Sequence, residues 1–300
     1  MNLRYQFERF GFWFARLLAR LIPRALLLKM ASGFGNVAYH LDKRHRVVAI
    51  ENFQAAFPDA SESEAQAVIR RTYRFFARYL FDMLTCFAVM PSERFQSFEV
   101  EGVEHLEAAY KRGKGVIFYG GHFGAWELMA LAHGARGWAL EVVVRRLDNP
   151  YLESLLEKLR ISTGNAIIDK KQGFRPMLRA LREGKGIAVL MDQNVSTEDR
   201  IFVNFFGRPA STTPAVALLK LKTDAVLMAA YSYPLPGDRY RFVYSPPVEV
   251  PLTGNREDDV RRITQECTRT IESFVTDHPE CWLWMHRRWK AQPPQEPVLL

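Results

Sequence analysis

Between residues 116 and 230 short apolar runs alternate with amphipathic segments, and this alternation constrains the fold more than any other feature of the chain. The runs lie at 116–119, 140–144, 166–168, 187–191 and 225–230. Each is too short for a helix and reads as a strand. The stretches near 123–135, 150–162, 174–183 and 213–222 carry helical spacing. Strands alternating with helices predict an α/β fold with a mostly parallel central sheet flanked by helices. Residues 239–250 add antiparallel strands, and 256–277 reads as a late amphipathic helix. Ahead of the sheet, 62–90 reads as a helix through Val68, Ile69, Tyr73, Phe76, Tyr79, Leu80 and Leu84, ended by Pro91.

The N-terminus differs in character. The first fifty residues hold nine Lys/Arg against two acids, a surplus of seven out of a net charge of +8 for all 300 residues. Residues 10–30 mix Phe10, Trp13, Phe14, Leu17, Leu18, Leu21 and Ile22 with Arg16, Arg20 and Arg24. A nucleic-acid arm rarely carries so much Leu and Phe. The uncharged runs fall well below the roughly 18 apolar residues of a simple membrane span. The pattern predicts a helix lying in a membrane interface, apolar side in the acyl boundary and arginines among anionic headgroups. A first core helix is the plainer reading. Arginines interrupt the apolar stretch and no small-residue cleavage site follows it, which argues against a cleaved signal peptide. The division expected is therefore 1–30 as a membrane-associating helix and 31–300 as one α/β domain.

With 48% hydrophobic and 25% charged residues the chain is of ordinary globular composition, which excludes fibrous repeats and long disorder. Cys86, Cys267 and Cys281 share no CxxC spacing, so neither a disulfide framework nor a cysteine-rich zinc site is expected.

The chemistry points to Gly120-Gly121-His122-Phe123-Gly124-Ala125-Trp126-Glu127, directly after the strand at 116–119. In an open α/β sheet, sites form beyond the carboxyl ends of strands. On one continuous helix His122 and Glu127 would stand about 140° apart. They meet only if His122 lies in the turn and Glu127 in the helix that follows. A carboxylate on one imidazole nitrogen fixes the tautomer and leaves the other nitrogen as a general base. Backbone N–H groups of the glycine-rich turn are candidate oxyanion donors. The alternative is a structural histidine capping the helix. No GxSxG, P-loop, GxGxxG or HExxH occurs, so direct attack by a substrate hydroxyl fits better than a covalent enzyme intermediate.

Further polar sets follow other strands: Arg145, Arg146, Asp148 and Asn149 after 140–144, and Asp192, Gln193 and Asn194 after 187–191. Each set either converges with His122 at one sheet edge or forms solvated loops and caps. The aromatic-rich segment 202–214 is either buried or lines an acyl-chain site. Trp282, Trp284 and Trp289, among His286, Arg287, Arg288 and Lys290, suit a lipid interface or a packed terminal helix with a basic face.

Taken in order, GGHFGAWE, VVVRRLDNP, VLMDQN, FVNFFGRPASTTP and WLWMHRRWK, with RVVAIENFQAAFPD ahead of them, resemble the bacterial lipid A biosynthesis (late) acyltransferases over about residues 5–290. The resemblance implies a fold similar to the glycerolipid acyltransferases and a place on the cytoplasmic face of the inner membrane. It implies transfer of a fatty acyl group from acyl carrier protein to a hydroxyl of a lipid A precursor or related glycolipid. The family's H-x4-D/E motif falls on His122 and Glu127 as catalytic residues. Substrate-binding positions fall on Arg145, Asn149, Asp192 and Gln193, with Arg146 standing where proline is common. The acyl carrier protein thioester is a cosubstrate, and no metal or bound cofactor is implied. Two other readings share these residues: a non-catalytic lipid-binding protein of the same fold, and a thioesterase or other hydrolase using water.

Overall fold

The computed structural model describes residues 3–88, 95 and 98–294. Four helices lead the chain: α1 (Leu3–Leu21), α2 (Arg24–Leu41), α3 (Lys43–Ala56) and α4 (Glu62–Ala88). The continuous helix expected over 10–30 is divided. Pro23 sits in extended backbone (φ −53°, ψ 136°) between α1 and α2, because a proline inside the helix would lose a hydrogen bond and clash with the preceding turn. α4 starts on a reciprocal cap, the Ser61 backbone N–H donating to Glu64 at 2.8 Å and the Glu64 N–H to the Ser61 hydroxyl at 3.3 Å. The expected stop at Pro91 lies outside the described residues.

α1 and α2 pack along α4. Ala19, Leu27, Leu84 and Ala88 are buried together, and Arg24 grips Asp82 through two bonds of 2.9 and 3.0 Å. At Gly35 the two helices nearly touch: a Cβ there would stand 2.6 Å from the Arg74 Cα. Among the described residues, no helix is long and apolar enough to cross a membrane.

The α/β part follows as β1 (Glu99–Glu101), α5 (Val103–Lys111), β2 (Val116–Gly120), α6 (Trp126–Ala135), β3 (Leu140–Val144), α7 (Pro150–Ile161), β4 (Ala166–Asp169), α8 (Phe174–Arg182) and β5 (Gly186–Leu190). A hairpin β6 (Ile201–Phe205)–β7 (Arg208–Thr212) comes next, then α9 (Ala215–Lys222), β8 (Val226–Leu235), β9 (Arg239–Tyr244) and α10 (Arg256–Asp277). The described residues form a seven-stranded sheet in the order β1-β9-β8-β2-β5-β3-β4. Only β8 and β9 pair antiparallel within it. The mostly parallel sheet expected from the strand–helix alternation is thus present, with the strands expected between 116 and 230 within a few residues of their places, while 239–250 supplies a single antiparallel strand, β9, that ends at Tyr244.

β2 is central and buried at all five residues, as a parallel strand covered on both faces must be. Its register decides the site. Gly120 of β2 stands beside Leu190 of β5, so the residues leaving the two strands emerge side by side.

Candidate functional site

Two residues beyond that registered pair stand His122 and Asp192. His122 Nδ1 lies 2.8 Å from Asp192 Oδ1, and the His122 backbone N–H donates to Oδ2 at 2.7 Å. Gly121 makes this approach possible, since a Cβ there would come 2.8 Å from Oδ2. Gly124 adopts φ +64° and passes so close to Ser232 that no side chain fits. The Trp282 indole N–H gives Oδ2 a further donor at 2.8 Å. The Asp192 side chain is 3% exposed and the imidazole 22%.

Burial works against a charged imidazole, but the charge and hydrogen bond of Asp192, with a smaller contribution from Glu127, prevail and raise the His122 pKa above 6.5. Burial likewise opposes the Asp192 carboxylate; the imidazole, the indole and the backbone donor outweigh it and hold its pKa below 3.8. An acceptor carboxylate on Nδ1 places the imidazole proton there. Nε2 then carries the lone pair, and the Gln193 carboxamide nitrogen lies 3.3 Å from it. The imidazole edge also meets the Trp126 ring at 5.3 Å between centroids.

Glu127 occupies the position expected of it, in the first turn of α6 with His122 in the preceding turn, but it is not the carboxylate on Nδ1. It is engaged by Arg160 of α7, Nε to Oε2 at 2.9 Å with a second bond from Nη2 to Oε1. Its backbone N–H donates to the Tyr79 hydroxyl. Arg160 and Glu127 are both largely buried.

The remaining candidates divide. Asp192, expected to touch substrate, is enclosed and touches the imidazole. Gln193 is exposed at the mouth beside Nε2. Asn149 is buried: its Oδ1 caps α7 at the Tyr151 N–H, and its Nδ2 donates to the Tyr5 carbonyl and to Glu8. It ties α1 to the start of α7 and has no free face. Arg145 is exposed and pairs with Asp148 at 3.4 Å. The backbone N–H groups of residues 122–125 are all committed, to Asp192, the Gly121 carbonyl, the Cys281 carbonyl and the Ser232 hydroxyl. They are not free oxyanion donors.

Both aromatic segments are packed. Phe205 of β6 is buried against Trp282 at 5.4 Å, and the hairpin docks on α10 through Asn204–Gln265 and Phe206–Glu272 bonds. Trp282, Trp284 and Trp289 are 1%, 0% and 7% exposed. They face no lipid, and they lie on no helix but on the irregular chain that follows a 3-10 turn (Pro279–Cys281). This segment pairs with the turn after β2, the Leu283 N–H donating to the His122 carbonyl at 3.1 Å.

Three side chains meet the site from places that local sequence reasoning does not join to it: Trp282, Arg160 and Tyr79. Each meets the site from at least thirty residues away in sequence, with no local spacing to announce it. Beside Trp126 lies a cavity of about 60 Å³ lined by Phe118, Met129, Ala130, Leu140 and Tyr244. His133 also lines it, held between the Tyr244 hydroxyl at 2.7 Å and the Tyr110 hydroxyl at 3.2 Å, with burial pushing its pKa down to about 3.

A sequence model of the bacterial lipid A biosynthesis acyltransferases matches residues 2–291. The lipid A biosynthesis lauroyltransferase of Escherichia coli (strain K12) is 25% identical over 92% of this chain and 89% of its own. The myristoyltransferase of that strain is 25% identical over 87% and 80%, and its palmitoleoyltransferase 26% identical over 100% and 96%. The match runs through every strand and helix that builds the His122 site, and on it the chain belongs to the bacterial lipid A biosynthesis acyltransferase family and is an acyltransferase.

Proposed function

We propose that this acyltransferase moves a fatty acyl group from an acyl carrier protein thioester to a hydroxyl of a lipid A precursor or related glycolipid, with His122 as general base. The observation that carries the reading is the imidazole itself. Its Nδ1 is fixed by a buried carboxylate, and the ring stays partly exposed beyond the carboxyl end of the central strand β2. Nε2 takes the proton of the acceptor hydroxyl as that oxygen attacks the thioester carbonyl, and the Asp192 carboxylate stabilises the imidazolium formed. The proton then leaves on the thiolate of the carrier. Gln193, beside Nε2, is the side-chain donor available to the reacting oxygen atoms. Glu127 adds negative charge near the imidazolium and, through Arg160, fixes α6 to α7. The site is built from protein side chains, and the acyl donor is a cosubstrate.

The acyl chain occupies the apolar cavity beside Trp126, whose ring also meets the imidazole edge. The acceptor comes from a membrane surface. α1 turns Leu3, Phe7, Phe10 and Phe14 outward, spaced four, three and four residues apart, and α2 does the same with Leu26, Met30, Phe34, Val37 and Leu41. Such faces suit burial in an interface. Asn149 and a 4.7 Å stack of Arg9 on Tyr151 anchor α1 at the sheet edge that carries His122. This arrangement favours action on the cytoplasmic face of an inner membrane, where the carrier protein is available.

The test is product analysis. Purified protein with acyl carrier protein thioester and a lipid A precursor should give an acyl ester of the lipid, seen by mass spectrometry. Free fatty acid as the sole product would point to a hydrolase, and lipid binding without turnover to a binding protein; either result contradicts the proposal.

A further inference from the structure

The C-terminal segment holds the carboxylate that holds the imidazole. Residues 281–284 lie antiparallel to the turn after β2. Gly124 donates to the Cys281 carbonyl at 2.8 Å, Leu283 donates to the His122 carbonyl at 3.1 Å, and Phe123 bridges Trp282. From this strand-like segment the Trp282 indole reaches Asp192 Oδ2 at 2.8 Å. Its ring is fixed in turn by Phe205, Trp284 and Trp289, at 5.4, 4.6 and 6.4 Å.

We propose that Trp282 is a positioning residue for the acyl transfer, acting through Asp192 to set the orientation and basicity of His122. The inference rests on the reading of His122 as the base.

Asp192 makes no ion pair with Lys or Arg among the described residues; the imidazole and dipoles neutralise it. Deleting one donor leaves the carboxylate with more unscreened charge to offer the imidazolium. His122 then holds its proton to higher pH and is a base over a narrower range. The surrounding charges do not mask this. His286 accepts a bond from the Asn194 N–H at 2.9 Å, and burial lowers its pKa below 6.5. Arg288, buried with bonds to the Ser211 carbonyl and Thr212 hydroxyl, keeps its proton to about 10. Glu127 is bound to Arg160. Through the neutral range the titrating group facing Asp192 is therefore His122.

Trp282→Phe keeps an aromatic ring and removes the donor. Trp284→Phe is the control, equally buried, its indole donating to the Pro279 carbonyl instead. Trp282→Phe should lower kcat about ten- to a hundredfold with KM for both substrates within about twofold. The acid limb of its pH–rate profile should rise by about 0.5–1 unit, while that of Trp284→Phe stays in place. An unmoved acid limb in folded Trp282→Phe, or equal shifts in both variants, would overturn the proposal. Should Trp282→Phe not fold, the full-length wild-type chain labelled with ¹⁵N-tryptophan decides. One indole N–H resonance should follow the His122 titration and lose that response in Asp192→Asn; no responsive indole overturns the inference. An inactive wild-type protein would defeat the reading of His122 and still leave the indole titration to decide the contact.

Discussion

His122 and Asp192 each stand two residues past a registered pair of neighbouring parallel strands, and their side chains close the gap with a 2.8 Å bond. The sixty-nine residues between them include three strands and three α-helices. Sheet register brings the two residues together, and the Trp282 indole and the His122 backbone N–H hold the carboxylate in place. A carboxylate so placed does two things to an imidazole: it fixes the tautomer and it raises the pKa.

The first consequence is in the pH profile. A general base works as the neutral imidazole, and Asp192 holds the His122 pKa above 6.5. Activity should therefore rise with pH along a limb centred above 6.5. Asp192→Asn removes the charge, so that limb should move down. The rate should fall on the order of a thousandfold or more, because an amide no longer imposes the Nδ1–H tautomer. Steady-state rates from pH 5 to 9 check both signs. In stability the signs run opposite ways. The raised His122 pKa stabilises the fold below 6.5 and that contribution fades as pH climbs through the folded value. The lowered Asp192 pKa stabilises above 3.8 and is lost as pH falls through its own folded value.

Glu127 and Arg160 form a buried pair whose members fail differently. Glu127→Gln leaves the enclosed Arg160 charge without its hydrogen-bonded carboxylate and should cost about 3–5 kcal/mol of stability. Glu127→Gln combined with Arg160→Met should recover much of that. Urea unfolding of the three proteins measures it; full stability in the single variant would place the pair outside the fold's framework.

The cavity beside Trp126 gives a substrate test. Ala130 lines it, so Ala130→Met should exclude the ends of long chains. The ratio of kcat/KM for a long over a shorter acyl donor should fall by about ten- to a hundredfold, at roughly 1–3 kcal/mol per displaced methylene. Competition between two acyl carrier protein thioesters reads the ratio directly, and an unchanged ratio would move the chain elsewhere.

The exposed aromatics of α1 should bind lipid. Replacing Phe7, Phe10 and Phe14 together with serine removes about 1.5–3 kcal/mol of burial per residue. Binding to anionic vesicles, measured by sedimentation, should drop at least about a hundredfold. Circular dichroism should stay unchanged, since these rings already face solvent.

Much of this was legible in the chain because strand–helix alternation and glycine-flanked turns are local signals. They placed the strands, put His122 at a strand end and grouped Asp192 and Gln193 at another. What local spacing could not show was which carboxylate meets the imidazole. Glu127 is nearer in sequence, but the register of β2 with β5 delivers Asp192, and Arg160 claims Glu127 from across α7. Aromatic–cation alternation among the tryptophans suits a lipid interface and a packed terminal helix equally, and local spacing cannot choose between them. Their burial follows from the C-terminal segment folding back over the turn after β2, a pairing with no sequence period. Pro23 was visible in the sequence, and its break between α1 and α2 follows from its missing N–H.

The most direct measurement is the turnover of purified His122→Ala with acyl carrier protein thioester and lipid acceptor, alongside a check of its folding. The account predicts a native circular dichroism spectrum and a kcat reduced by about 10²–10⁴. A folded His122→Ala protein that acylates the lipid at a near wild-type rate would contradict it.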